Sequence, residues 1–262
     1  MLNRNTVLIL TITLAVCLFA ALFFRARGGE QSFLAAKADK VYENYTFPAP
    51  DQTVYKMRLY LDVTTRTLYG STSLDTENTS GSALKELWFT VYPNGFKTQA
   101  ITPAPAKAYY AGFSEGWLAV DDCRINGQPA PVSVSGISLK VECPRAIQPG
   151  EQISVKMNWK EKIPRVKYRF GCVDTTYMLG NFYPVLNVLS PQGWLNAYNS
   201  GFGDPFCFNS ANYSVELNVP DGFTPATTGT VKLRQLNDDG RVDYMIEAPK
   251  ARDFSLMLGY NY

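Results

Sequence analysis

The sequence predicts an all-β domain, a curved β-sandwich or saddle-like sheet pair, preceded by one N-terminal transmembrane helix. Three observations carry the prediction. Several segments alternate apolar and polar residues with a period of two, which puts one set of side chains on one face of a strand. Aromatics are abundant, with 16 Tyr, 15 Phe and 4 Trp in 262 residues, and Tyr and Phe suit the half-buried pleated surface of a sheet. Outside a short stretch near the N-terminus, no amphipathic helical periodicity of useful length is present.

Residues 7–24 form an apolar run relieved only by Thr11, Thr13 and Cys17, with Arg4 before it and Arg25 and Arg27 after it. At about 1.5 Å rise per residue such a run just spans the hydrocarbon core of a bilayer. A cleaved signal peptide usually has a shorter apolar region and a small-residue cleavage site; here the run ends in Phe23-Phe24-Arg25. The expectation is an uncleaved anchor over residues 1–27, with a cleaved signal as the alternative and the remaining chain outside the cytoplasm. Cys17 follows bulky Val16 inside the run, which suits a buried membrane cysteine better than an acylation site. Residues 28–51 read as a stalk: Gly28-Gly29 break the helix, and Pro48-Ala49-Pro50 end any short juxtamembrane helix.

The β-domain is expected over 52–262. Its clearest strand places Tyr55, Met57, Leu59, Leu61 and Val63 on one side. A turn at Thr64-Thr65 leads to a strand over 67–75, a polar turn over 78–82, and a third strand over 85–92 that stops at Pro93-Asn94-Gly95. Residues 102–108, with two prolines, read as irregular. A strand over 117–125 runs into Asn126-Gly127, a strong hairpin signal. Another strand over 138–142 precedes the turn Gln148-Pro149-Gly150, and Ile153, Val155, Met157 and Trp159 then alternate with polar partners up to Ile163-Pro164. The stretch 182–229 is rich in aromatics, prolines and glycines and contains a strand over 213–220. Segments 230–236 and 242–247 flank the turn Asn237-Asp238-Asp239-Gly240. A last strand lies within 252–262, with Phe254, Leu256, Leu258, Tyr260 and Tyr262 on one side. The total is roughly ten strands.

The chemistry is bounded by an absence: the chain has no histidine. Ser-His-Asp and Cys-His catalysis and an H-E-x-x-H zinc site are therefore excluded, and no glycine-rich phosphate loop is present. Charge is nearly balanced, with Lys+Arg 25 against Asp+Glu 23, and no basic block points to nucleic acid. Asp121-Asp122 and Asp238-Asp239 lie at turns and read as surface residues, and Asp204 reads as a turn cap. Sequons begin at Asn44, Asn78 and Asn212. Cys123, Cys143, Cys172 and Cys207 are even in number in an expected extracytoplasmic context. That permits two disulfides in any of three connectivities, with proximity favouring Cys123–Cys143 and Cys172–Cys207; four separate thiols are the alternative. No catalytic or metal-binding residue is assigned.

The series Tyr60-Leu61-Asp62-Val63, Leu87-Trp88-Phe89, Val91-Tyr92-Pro93-Asn94, Phe182-Tyr183-Pro184, Gly203-Asp204-Pro205-Phe206, Pro220-Asp221-Gly222-Phe223 and Ala251-Arg252-Asp253-Phe254 resembles the N-terminal domain of the aminopeptidase-N-like zinc metallopeptidases, the gluzincins. The resemblance covers about residues 52–262. It implies a curved β-sandwich packed against a thermolysin-like catalytic domain that carries H-E-x-x-H and zinc, neither of which belongs to this chain. Asp174 to Tyr177 lie near the place where some members contact the substrate amine, but no motif matches there. Pro184-Val185-Leu186-Asn187 stands where many members have Pro-Cys-x-Asp, the mark of a divergent branch. Three readings follow. The first is a non-catalytic N-terminal domain of a membrane-anchored aminopeptidase-like protein, inactive on peptides by itself, with zinc only in a full-length parent. The second is a stand-alone extracytoplasmic module that binds protein or peptide. The third is a hydrolase using two carboxylates about 5–10 Å apart in one groove.

Overall fold

The computed structural model describes residues 53–198 and 206–261; the expected anchor and stalk, Asn44 and Asp204 lie outside the described residues. Strand β1 (Thr53–Asp62) alternates as expected, with Tyr55, Met57, Leu59 and Leu61 buried. It pairs antiparallel with β2 (Thr67–Glu77) on one side and parallel with β14 (Ala211–Pro220) on the other. Next to β2 lies β8 (Gln152–Lys162), which pairs in turn with β4 (Trp117–Ile125). The sheet is completed by β5 (Gln128–Pro129), β16 (Thr230–Leu236) and β17 (Arg241–Ala251), in the order β16-β17-β14-β1-β2-β8-β4-β5. Asn126 and Gly127 both take positive φ, 49° and 81°, to turn β4 into β5.

Two four-stranded antiparallel sheets pack onto this one through a shared core. The first joins β3 (Leu84–Thr90), β6 (Val132–Ser135), β7 (Ser138–Ile147) and β11 (Val185–Leu186) in the order β11-β3-β7-β6. The second joins β9 (Phe170–Val173), β10 (Thr176–Leu179), β15 (Phe223–Thr227) and β18 (Leu256–Tyr260) in the order β15-β18-β10-β9. A small ladder pairs β12 (Leu189–Ser190) with β13 (Gly193–Trp194). Among the described residues the outcome is mostly β, with only short 3-10 turns at Tyr92–Phe96 and Ala106–Ala108. It is arranged as several open sheets, eighteen strands among the described residues rather than about ten. The extra strands are short ones of two to four residues, too brief to show a period.

Strand β14 is buried along both faces. Tyr213, Val215, Leu217 and Val219 enter the core, while Asn212, Ser214, Glu216 and Asn218 lie on the opposite face. There Arg58 pairs with Glu216 at 3.5 Å, and the Arg241 guanidinium lies 4.0 Å from the centre of the Tyr60 ring. Neighbouring long side chains thus cover the polar row of a central strand. Asn78 and Asn212 are 1% and 3% exposed. The Asn78 amide donates to the Ser82 and Ile147 carbonyls, so neither sequon offers an accessible acceptor.

One close approach fixes the β2–β8 pairing. The Trp159 ring lies over Gly70, where an added Cβ would fall 2.1 Å from it, and its indole N–H donates to the Thr72 hydroxyl at 2.9 Å. Gly70→Ala forces this buried ring aside, and such overpacking costs about 1–3 kcal/mol. Urea unfolding followed by tryptophan fluorescence should show the lower midpoint with an unchanged slope.

Candidate functional site

Three features bear on function: a hub of aromatics, an uncharged sheet face, and isolated ionisable groups. The hub grows from the stretch that the sequence marks by composition. Phe182 and Tyr183 are fully buried. The Tyr183 hydroxyl donates to the Tyr213 hydroxyl at 3.2 Å and accepts the Phe254 N–H at 3.2 Å. Tyr55 stacks on Tyr213, ring centres 5.1 Å apart, and its hydroxyl accepts the Leu186 N–H at 2.9 Å. Burial pushes the Tyr213 phenol up to about 12 and lifts Tyr55 and Tyr183 as well. These phenols stay protonated and act as hydrogen-bonding anchors. Within six residues the chain touches all three large sheets: β14 through Tyr213, the approach to β18 through Phe254, and β3 through Val185 and Leu186.

The second feature is the outward face of β15, β18 and β10. Alternation sends Phe223, Leu256, Leu258, Tyr177 and Leu179 into the core. Thr224 and Ala226 of β15, Met257 and Gly259 of β18, and Thr176 and Met178 of β10 therefore point outward. Register lines up Ala226, Met257 and Met178 in one row and Thr224, Gly259 and Thr176 in the next. None of the six is charged, Met257 is 49% exposed, and a shallow depression of about 210 Å³ lies over the face.

The expected disulfides are not formed: Cys123, Cys143, Cys172 and Cys207 are free thiols. Proximity in sequence does not produce a bond here. Cys123 is buried in β4 of the large sheet and Cys143 is half-buried in β7 of another, while Cys172 is buried in β9 and Cys207 is exposed. Burial, with the Asp122 charge nearby, pushes the Cys123 thiol up to about 12; burial, with Glu86 nearby, pushes Cys143 up to about 11. Buried protonated thiols are inert. Native labelling with iodoacetamide, read by mass spectrometry, should modify Cys207 first. Cys123 and Cys172 should react only after unfolding, without a reductant.

The carboxylates do not assemble into a pair. Asp121 meets Lys160 and Asp122 meets Arg124, each at 3.3 Å on the surface, and Asp239 accepts the Arg241 N–H in its turn. Glu216 faces away from the core on β14. Glu161, which the sequence reading missed, is fully buried on the core side of β8, and neither of its oxygens has a hydrogen-bond partner. Its signal was available, since it continues the inward series of Val155, Met157 and Trp159 by one more step of two. Asp121 and Asp122 do line one open depression of about 350 Å³, but each is held in a surface ion pair, which does not favour the two-carboxylate hydrolase. Asp174 and Tyr177 do share a pocket of about 300 Å³, with Arg66, Arg165 and Cys172. Zinc does not fit this chain: among the described residues no three His, Cys, Asp or Glu side chains converge, and no histidine exists to supply a ligand.

The described part is thus a β-rich domain with an uncharged outer face and no assembled catalytic group among the described residues. No family model and no curated protein matches the sequence. Solved structures of M1 zinc metallopeptidases do match. One from Deinococcus radiodurans aligns at TM-score 0.49 and 16% identity, covering 80% of this chain and 42% of its own. A two-domain M1 zinc metallopeptidase mutant bound to L-tryptophan aligns at TM-score 0.48 and 15% identity over 80% and 42%. A D. radiodurans mutant bound to a Tyr-Ser-Ala substrate aligns at TM-score 0.48 and 15% identity over 81% and 44%. The chain spans under half the length of these structures, and at this level of likeness they decide nothing about its activity.

Proposed function

We propose that this chain supplies the non-catalytic N-terminal β-domain of a membrane-anchored, aminopeptidase-like zinc metallopeptidase. The parent would remove N-terminal residues from peptides, with its zinc and catalytic groups in a separate domain. The observation that carries the reading is the uncharged face of β15, β18 and β10. Its small side chains and exposed Met257 suit close packing against another folded unit, where water is excluded and no charge must be stripped of solvent. A catalytic domain following β18 in the same polypeptide would emerge beside this face. The ordered series of turn and aromatic motifs supports the same parentage, and residues 7–24 would provide the anchor.

The test has two arms. Genomic sequence beyond the Tyr262 codon should encode H-E-x-x-H, in frame or after a frameshift, and the domain so encoded should bind the chain through this face. Met257→Lys should then weaken that association at least about tenfold, or 1.4 kcal/mol, without changing the chain's circular dichroism. Stoichiometric zinc with aminopeptidase activity in the chain alone would overturn the reading. A monomer in detergent with no such domain encoded downstream would favour the stand-alone extracytoplasmic protein- or peptide-binding module instead.

A further inference from the structure

A second site lies away from the uncharged face. Where β1 begins and β2 ends, the ends of the central strands of the large sheet and the β12–β13 ladder border a cleft of about 490 Å³. That is within the span of small-molecule sites, about 300–1,000 Å³. Two asparagines in its lining are committed to the fold. Asn78 holds the Ser82 and Ile147 carbonyls, and Asn187 accepts from Thr90 and donates to Asn196. These bonds hold both side chains to the fold, so they chiefly shape the cleft.

The groups left for a ligand are of one chemical kind. Glu77 accepts the Gln152 amide on Oε2 at 2.8 Å, which leaves Oε1 open. Trp194, partly buried and packed against the core, lines the same cleft with Asn209 and Ser210, and none of the three side chains has a hydrogen bond to any described residue. Trp194 and Leu186 add an apolar wall, and the Thr53–Thr76 hydroxyl pair adds a further polar edge. Among the described residues no lysine or arginine lines the cleft, and Glu77 is its single charge. Phosphates and other anions are therefore repelled. An aromatic face, one carboxylate, one amide and several hydroxyls together match a ligand with an apolar ring face and a rim of hydroxyl groups.

We propose that this cleft binds a neutral saccharide, with a pyranose ring on the Trp194 indole and ring hydroxyls on Glu77 Oε1, Asn209 and Ser210. A neutral peptide is the competing class, since the edge strands β11 and β12 contribute Leu186 and Leu189 to the lining; the open side chains favour a ligand with a hydroxyl rim. The inference is independent of the docking face and survives if that reading fails.

The full chain in detergent is examined by saturation-transfer NMR and calorimetry. The probes are glucose, galactose, mannose, N-acetylglucosamine and their β-linked disaccharides, with neutral tripeptides as the competing class. At about 20 mM, well above a 1 mM dissociation constant (about −4 kcal/mol), at least one sugar should show transfer. Trp194→Ala and Glu77→Gln should each weaken it at least about tenfold, 1.4 kcal/mol, and Trp194→Phe should retain part of the affinity. Glu77→Gln keeps the accepted hydrogen-bond geometry, so it reports even if Trp194→Ala disturbs the β12–β13 ladder. No transfer from any sugar overturns the proposal. So does binding that both variants leave intact, or binding of the tripeptides alone.

Discussion

Replacing Glu161 by leucine should stabilise the domain at pH 7 by about 2–4 kcal/mol, because a buried acid without partners is exchanged for a side chain its surroundings already suit. Glu161 lies in the β8 register opposite Leu68 of β2 and Leu118 of β4, both buried. Burial alone drives its carboxyl well above the usual carboxylate range. The sign follows from linkage. In the unfolded chain the group ionises near the ordinary value of about 4.3, whereas in the folded state it holds its proton to higher pH. The unfolded state therefore loses its proton first. The contribution of this group to stability is complete below about pH 4.3 and declines by about 1.4 kcal/mol per pH unit until the folded carboxyl itself ionises. Thermal unfolding of the wild type between pH 4.5 and pH 8 should show this decline, and Glu161→Leu should remove it. Glu161→Gln should also flatten the profile while leaving an unsatisfied amide, with a smaller gain at pH 7. A leucine variant with the wild-type slope would show that the decline comes from elsewhere.

The same residue shows where sequence reading works and where it stops. The strands β1, β4 and β8 are legible because one face meets the core and the other meets polar neighbours, so side-chain chemistry repeats every second residue. The inward register of β8 extends to Glu161, yet a charged residue at that step looks like the end of the pattern rather than part of it. Strand β14 was legible only in part. Its polar row alternates as an exposed row would, but Arg58, Tyr60 and other long side chains on β1 and β17 cover it. The β9–β10 hairpin and the ladders of β11, β12 and β13 left no trace, since two to four residues carry no period. Their register comes from distant partners such as Thr90 for Val185. The uncharged outer face was illegible for a related reason. Thr, Ala, Gly and Met are weak strand signals individually, and only the pairing of three non-consecutive strands gathers them on one surface. The cysteines failed in the opposite direction: their number and spacing suggested bonds, yet all four are free thiols.

Phe182→Ala should be the most damaging single truncation in the domain, and its cost tests whether segment 182–187 joins the sheets or merely fills space. The Phe182 ring is fully buried. It lies edge-on to Tyr183 with centres 5.2 Å apart, and 6.4 Å from both Trp159 of the large sheet and Phe254 before β18. Removing a buried phenyl group costs about 3–5 kcal/mol, the lost transfer energy plus the cavity left behind. Set against a usual total stability of about 5–15 kcal/mol, that is a large share of what holds the fold. For a domain of this size it corresponds to a fall on the order of 10 °C in melting temperature. Tyr183→Phe separates filling from joining, because it keeps the ring and removes only the hydroxyl that links Tyr213 to the Phe254 N–H. Leaving that buried N–H unsatisfied costs about 1–3 kcal/mol. If the segment is a joint, hydrogen exchange in Tyr183→Phe should quicken most at Phe254 and along β18, with β2 and β8 little changed. Uniform quickening across every sheet, or none, would mean that the hydroxyl does not couple them and that the aromatic cluster acts by volume alone.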